Sequence, residues 1–165
     1  MTSRAAARSR STGVRLPPFQ RFLDEHREPV YRFLVASAGP GEADDAFQET
    51  FMSALRAYPR LREASNLRGW VMTIAHRKAL DAHRARKRRA DPVEQVPERA
   101  APPAGEPEPA LWSAVRALPD GQRGAILLRF VADLAYADIA ATLGCSEEAA
   151  RQRVREGLKQ LKERV

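Results

Sequence analysis

Two segments of this sequence concentrate cationic side chains at helical spacing. Residues 77–89 contain seven lysines and arginines and a single acid, Asp81. Residues 151–159 present Arg151, Gln152, Arg153, Arg155 and Lys159. Dense cations suit a phosphate backbone, and arginine and glutamine can bind the edges of guanine and adenine in the major groove. The alternative interpretations are a solvated basic helix end and an ordinary amphipathic surface helix.

The first cationic segment continues a helix that begins near Ser65. Its first half is apolar almost all round, which predicts burial inside a small helical bundle (Trp70, Val71, Met72, Ile74, Ala75). Ser65 or Asn66 is the expected N-cap. This helix is therefore predicted to begin in a core and to leave it as a cationic rod.

A second helix, from Glu42 to Tyr58, pairs a buried stripe with an acidic outward face. The stripe is formed by Ala43, Phe47, Thr50, Phe51, Ala54 and Tyr58. The opposite face presents Asp45, Gln48, Glu49 and Met52, with Asp44 at its edge. In a chain this basic, such a face is a candidate docking surface for a basic protein, and a solvated face is the alternative.

The remaining segments also follow helical periodicity. Phe19–Ala38 predicts a first helix that Pro29 should kink or interrupt. A helix from Gln122 to Ala132, a short helix Tyr136–Leu143 and a helix from about Glu147 to Glu163 follow near the C-terminus. A glycine-containing turn, residues 144–146, separates the last two, which is the helix-turn-helix layout. Ser146 should cap the last helix, whose expected inner stripe is Ala150, Val154, Leu158 and Leu161.

Helical periodicity, with no strand-like alternation anywhere in the sequence, predicts an all-α chain of two small helical domains. Half of the 12 prolines fall between residues 92 and 109 among acidic residues, which predicts a flexible linker. We therefore expect a disordered basic tail over 1–17, domains over 18–89 and 110–165, and a linker over 90–109. The net charge of +7 favours a polyanionic partner. No apolar run is long enough for membrane insertion, and the single cysteine, Cys145, suits a reducing cytoplasm.

No constellation of residues in the sequence predicts catalysis. His76 and His83 lie two helical turns apart, about 10 Å along the axis, so they cannot share a metal ion. Motifs for a metalloprotease, a phosphate-binding glycine loop or a nucleophile elbow are missing from the sequence. We expect neither an enzyme nor a cofactor, a metal site or a small-molecule substrate.

Several ordered motifs resemble a known family. Residues 43–51 (ADDAFQETF), 67–75 (LRGWVMTIA) and the basic run to Arg89 are similar to regions 2.1–2.4 of sigma-70-family factors. Residues 118–130 (LPDGQRGAILLRF), 134–144 (LAYADIAATLG) and the last helix are similar to region 4. Two such domains on a short linker, without regions 1.1 and 3, are typical of the extracytoplasmic function (ECF) group.

The resemblance implies a role for each surface. The second helix would dock on the β′ clamp of core RNA polymerase through Asp44, Asp45, Gln48, Glu49 and Met52, and the β subunit would also be a partner. The non-template strand of the −10 promoter element would be captured by Asn66, Arg68, Trp70, Arg77, Lys78, His83, Arg84 and Arg86. For Trp70, packing in the core is the stronger interpretation. The −35 element would be read by Arg151, Gln152, Arg153, Arg155 and Lys159.

Some positions depart from the family pattern, and two other functions remain open. Residues 149–153 (AARQR) replace the usual Thr-Val-Lys-Ser-Arg, Glu156 and Leu158 replace frequent basic residues, and Gly124 stands where a larger residue is usual. A stand-alone helix-turn-helix regulator would bind duplex DNA without polymerase. A titrating protein would bind a sigma or anti-sigma partner without DNA. For a sigma factor, an anti-sigma protein is a further candidate partner, and we expect the two domains to move freely about residues 89–109.

Overall fold

The computed structural model describes residues 15–89 and 109–165, and regular structure in these ranges is entirely helical. The tail predicted for residues 1–17 and the linker predicted for 90–109 therefore lie almost wholly outside the described residues. The helices are α1 (Phe19–Ala38), α2 (Pro40–Ala57), α3 (Leu67–Arg89), α4 (Pro109–Arg116), α5 (Asp120–Phe130), α6 (Tyr136–Leu143) and α7 (Glu147–Arg164). A 3₁₀ turn, Tyr58–Arg60, follows α2. Within the described ranges, none of the helices is both long and apolar enough to cross a bilayer.

The first three helices form a bundle around an apolar core. Phe22, Val30 and Phe33 of α1 are fully buried, and Val71 and Met72 of α3 are their fully buried counterparts. The stripe predicted for α2 is confirmed, except that Phe47 is only half-buried and Ala46 joins the stripe. The helix α1 runs through Pro29 without the interruption that the sequence suggested. Residues buried on both sides of this proline hold α1 in the bundle although one backbone hydrogen bond is lost.

The last four helices form a second domain that contains the predicted helix-turn-helix. The helix α6 ends at Gly144, whose φ of +65° is the left-handed conformation that glycine adopts without strain. Ser146 then caps α7, since its Oγ accepts a hydrogen bond from the Ala149 N–H over 3.1 Å. The bounds predicted for α6 are confirmed, and the C-terminal bound of α7 differs by one residue. The turn thus sets α7 on the surface of this domain.

One residue of the stripe predicted for α7 is wrong. Leu158 is 44% exposed, and Gly157 takes the inner position beside Val154 and Leu161. A Cβ at residue 157 would lie 2.8 Å from Cγ1 of Ile126, so only glycine lets α7 approach α5 this closely. The spacing of the apolar residues alone pointed to the leucine, because a glycine gives no hydropathy signal.

The two domains are in contact, which differs from the expectation of freely moving domains. The helices α1 and α3 pack against α5, and α3 also packs against α6. The imidazole of His76 on α3 is 6% exposed and fits against Gly124 of α5. Hydrogen bonds from Asn66, Arg68 and Thr73 also cross to the C-terminal helices, so the two helical units share one interface.

Candidate nucleic-acid interface

The acidic face of α2 is exposed as predicted. Buried Ala43, Thr50 and Ala54 hold one side of α2 in the core, and the opposite side presents the residues predicted to bind core polymerase (Asp44, Asp45, Gln48, Glu49, Met52). Met52 is 55% exposed, and Leu55, which the sequence did not single out, is 54% exposed one turn later. Two exposed apolar side chains bordered by carboxylates are typical of a protein-binding surface.

A groove of about 310 Å³ separates α2 from the second half of α3. Asp45 and Glu49 line one wall of this groove, and Lys78 lines the other with Arg88 and Arg89. Lys78 is half-buried there. Among the predicted −10 residues, Lys78 thus lies beside the acidic face of α2.

Two predicted −10 residues lie at the beginning of α3 and contact the C-terminal domain. Asn66 is the N-cap of α3: its Oδ1 accepts a hydrogen bond from the Gly69 N–H over 3.0 Å, and its Nδ2 donates to Asp138 over 2.7 Å. The Nε and Nη2 atoms of Arg68 donate to the main-chain oxygen of Ala132 over 3.0 and 2.7 Å. These acceptors lie at the C-terminal end of α5 and on α6.

The indole of Trp70 packs in the core of the first domain. Its ring centroid lies 5.6 Å from that of Phe22 and 6.2 Å from that of Tyr58. This aromatic packing agrees with the preference for a core role over stacking on a base. One part of the indole also borders a cavity of about 200 Å³ between α3 and α6. That cavity is walled by Asn66 and Thr73 on one side and by Asp138 and Thr142 on the other.

The remaining −10 candidates lie farther along α3. Arg77, Arg84 and Arg86 are exposed, and His83 is half-buried. Burial, with a further contribution from the cation of Arg123, lowers the pKa of His83. Arg77 and Arg84, seven residues apart, lie on one face of α3 about 10 Å apart along the axis, a spacing suited to successive phosphates. Arg86 lies on the opposite face of the helix, where its guanidinium approaches Gly39.

The predicted −35 residues lie on the outward side of α7. Arg151, Gln152, Arg155 and Lys159 are exposed, and Arg153 is half-buried next to Gly121. The amide Nε2 of Gln152 donates to Glu156 over 3.0 Å. Four exposed polar side chains on one helix face form a surface that fits a major groove.

Tyr136 of α6 is a residue that sequence reasoning missed. The guanidinium carbons of Arg129 and Arg151 lie 4.9 and 5.0 Å from the centroid of its ring. Arg129 is in turn anchored by a hydrogen bond of 3.0 Å to the Leu134 carbonyl. Such cation–π contacts reduce the freedom of Arg151. An aromatic residue at the first position of a helix carries no sequence signal for this role.

No group of metal-binding side chains is present in residues 15–89 and 109–165. Both histidines of α3 lie outside any such group in these ranges. Burial lowers the pKa of His76 to about 4, the nearby Arg123 adds to that effect, and its Nδ1 has no hydrogen-bond partner.

Two family models match the chain, one on each domain. The model for Sigma-70 region 2 matches residues 22–89, and the model for Sigma-70, region 4 matches residues 109–161. The matched ranges coincide with the helices α1–α3 and α4–α7. They leave the segment between residues 89 and 109 outside both models.

The chain is also similar to individual sigma factors. It is 32% identical over 141 residues to ECF RNA polymerase sigma factor SigC of Mycobacterium tuberculosis, which covers 82% of this chain and 76% of that protein. It is 32% identical over 158 residues to SigD of the same species, with 87% and 74% covered. Among solved structures, RpoE of Bartonella quintana in complex with the anti-sigma factor NepR aligns with a TM-score of 0.75 at 25% identity, covering 90% of this chain and 96% of RpoE.

Proposed function

This chain belongs to the sigma-70 family of RNA polymerase sigma factors, in its ECF group, and we propose that three exposed surfaces have separate roles in promoter recognition. The surface of α2 binds core RNA polymerase, and the surfaces of α3 and α7 bind promoter DNA. An ECF sigma factor is a non-enzymatic protein that binds core RNA polymerase and promoter DNA and directs promoter-specific transcription initiation. A cytoplasmic location follows from this proposal, since the polymerase acts there.

The α2 face is the proposed docking surface for the polymerase clamp. Five exposed residues share it, two of them carboxylates beside a groove and one a methionine (Asp44, Asp45, Gln48, Glu49, Met52). The carboxylates are complementary in charge to a basic surface, and Met52 contributes apolar area that is removed from water on binding. The β subunit is the second proposed contact of the polymerase with this chain.

The helices α3 and α7 are the proposed DNA-binding elements. The side chains of α7 would enter the major groove of the −35 duplex, where Arg151 and Gln152 bind base edges and Lys159 binds phosphate. The beginning of α3 would hold unpaired bases of the −10 non-template strand, while Arg77 and Arg84 hold its backbone. Because these contacts exist only with a single strand, their binding free energy favours the melted promoter.

An anti-sigma factor is a further proposed partner. RpoE of Bartonella quintana is bound by the anti-sigma factor NepR, and this chain aligns with RpoE over both domains. The exposed apolar residues Met52 and Leu55 on α2 offer such a protein the same surface that polymerase would use. Competition between the two partners for α2 is then the expected mode of inhibition.

The observation that carries this assignment is the exposed acidic face of α2, and charge reversal tests it. Purified chain is mixed with bacterial core RNA polymerase and passed over a sizing column, as wild type and as Asp45→Arg/Glu49→Arg. We expect a one-to-one complex for the wild type and at least about a tenfold weaker complex for the variant, because like charges then face each other.

The matched control is Asp24→Arg/Glu25→Arg, which makes the same change in net charge on exposed residues of α1. This control should elute with polymerase like the wild type. Equal loss of binding in both variants would refute the assignment of α2. Absence of any complex, together with tight binding of the wild type to duplex DNA, would favour the stand-alone regulator.

A further inference from the structure

Glu156 is an acidic residue on the face of α7 that is proposed to bind DNA. It is exposed, and at 3.6 residues per turn it lies about 40° around the helix from Gln152 and about 60° from Lys159. Residue 156 is also one of the departures from the family pattern, in which a basic residue is frequent. A carboxylate at this place repels phosphates, so it weakens binding to every DNA sequence that offers it no hydrogen-bond donor.

Two glutamine side chains hold the carboxylate of Glu156. Its Oε1 accepts a hydrogen bond of 3.0 Å from Nε2 of Gln152, one turn earlier on α7. Its Oε2 accepts a longer hydrogen bond of 3.4 Å from Nε2 of Gln122 on α5. The Oε1 of Gln122 accepts in turn from Nε2 of Gln160 over 2.8 Å. These bonds restrict the rotamers of Glu156 before DNA binds, which is the preorganisation that recognition of a base requires.

The carboxylate of Glu156 keeps the capacity to accept further hydrogen bonds. Among the ion pairs of residues 15–89 and 109–165, the one on α7 joins Arg151 to Glu147 over 3.4 Å, and Glu156 belongs to none of them. Each oxygen of a carboxylate has two lone pairs, so one hydrogen bond leaves room for another. In the major groove cytosine and adenine present amino donors, and cytosine alone presents its donor without an acceptor beside it.

We propose that Glu156 reads a cytosine of the upstream duplex element by accepting a hydrogen bond from its N4 amino group. This inference rests on the function proposed for α7 and adds a specificity-determining residue to it. Glu156 lies about 6 Å along the axis from Gln152, so the two side chains reach base pairs about one or two steps apart. The repulsion from phosphates is offset only at sites that contain this cytosine, so Glu156 increases specificity more than affinity.

Selection from a pool of duplexes tests the role of Glu156. The complex of the full chain with core RNA polymerase is incubated with double-stranded DNA that has a random central segment, and the bound molecules are sequenced. We expect the wild type to select an upstream element with cytosine at one position. Glu156→Ala should lower the discrimination for that cytosine by at least about tenfold. It should also strengthen binding to unselected DNA, because the variant lacks the charge that repels phosphates.

Glu163→Ala is the matched control, since it removes the same charge from an exposed position near the end of α7. This control should leave the preference for cytosine unchanged. Glu156→Arg should move the preference at the same position from cytosine to guanine, the base whose O6 and N7 arginine binds. A change of the preferred base at one position is a result that a merely structural role of residue 156 would not produce.

The same selection distinguishes a failure of this assignment from a failure of the proposed function. If the wild type selects an upstream element that Arg151→Ala relaxes, but Glu156→Ala strengthens binding to all sequences alike, the function of α7 stands and the reading of cytosine is overturned. If the wild type selects no upstream element, both are overturned. A preference for cytosine that Glu156→Ala removes and Glu163→Ala keeps would establish the assignment.

Discussion

Burial at the contact between the two domains determines the protonation state of His76. Its imidazole is enclosed between the two domains, and its pKa is lowered to about 4 by burial first and by the cation of Arg123 second. Arg77 and Arg84 of α3 act in the same direction, and Asp120 of α5 opposes them. His76 is therefore neutral in the folded chain near neutral pH.

This environment predicts a loss of stability as the pH falls from about 6.5 to about 4. Between these values the unfolded chain binds a proton on His76 and the folded chain does not, so acid favours unfolding. From pH 7 to pH 5 the contribution of His76 amounts to about 2 kcal/mol of the free energy of unfolding. Urea denaturation at both values, for wild type and His76→Leu, measures it.

His76→Leu should remove the part of the pH dependence of the free energy of unfolding that His76 contributes. The contributions of His26 and His83 remain in both proteins. The burial that depresses the pKa also leaves Nδ1 without a partner, so the apolar side chain should be tolerated. An identical change in stability between pH 7 and pH 5 in the two proteins would contradict the burial of a neutral His76.

Most of the helices could be predicted from the sequence, whereas the close contacts between helices could not. An apolar segment followed by a cationic one predicted α3, and helical periodicity predicted α6 with its bounds and α7 to within one residue. Of the two expected caps of α3, Ser65 and Asn66, the structure shows Asn66, and the capping role of Ser146 is confirmed. The inner stripe of α7 contains Gly157, whereas the sequence predicted Leu158. This difference was not predictable, because it depends on how closely Ile126 of α5 approaches α7. Periodicity identifies a buried face but not the spacing of two helices.

The contact of three helices around Tyr136 yields a prediction at the same scale. The ring of this α6 residue carries Arg129 of α5 and Arg151 of α7, and exposed cation–π contacts contribute about 0.5–1 kcal/mol each. We expect Tyr136→Leu to lower the free energy of unfolding by about 1–2 kcal/mol. Tyr136→Phe keeps the ring and should lose less than half as much. Thermal denaturation of the full chain compares them, and equal losses in both variants would contradict the stacking.

At the scale of the whole molecule, the sequence predicted two helical domains but not their contact. The hydrogen bonds between the domains carry little sequence signal: Asn66 and Arg68 were identified as ligands for DNA, and their partners, the Ala132 carbonyl and Asp138, belong to no motif. Gly124, one of several departures from the family pattern, lies at this contact beside His76. A contact between two separately patterned units depends on surface complementarity, which hydrophobic periodicity does not encode.

Promoter-specific initiation is measured most directly by transcribing fragmented genomic DNA with core RNA polymerase, with and without this chain. The RNA 5′ ends are then sequenced. We expect 5′ ends that depend on the chain and share two upstream sequence elements at a fixed spacing. Arg151→Ala/Gln152→Ala should relax the upstream element, and Asn66→Ala the downstream one. No chain-dependent 5′ ends, or one duplex element bound equally well without polymerase, would contradict the assignment of these surfaces.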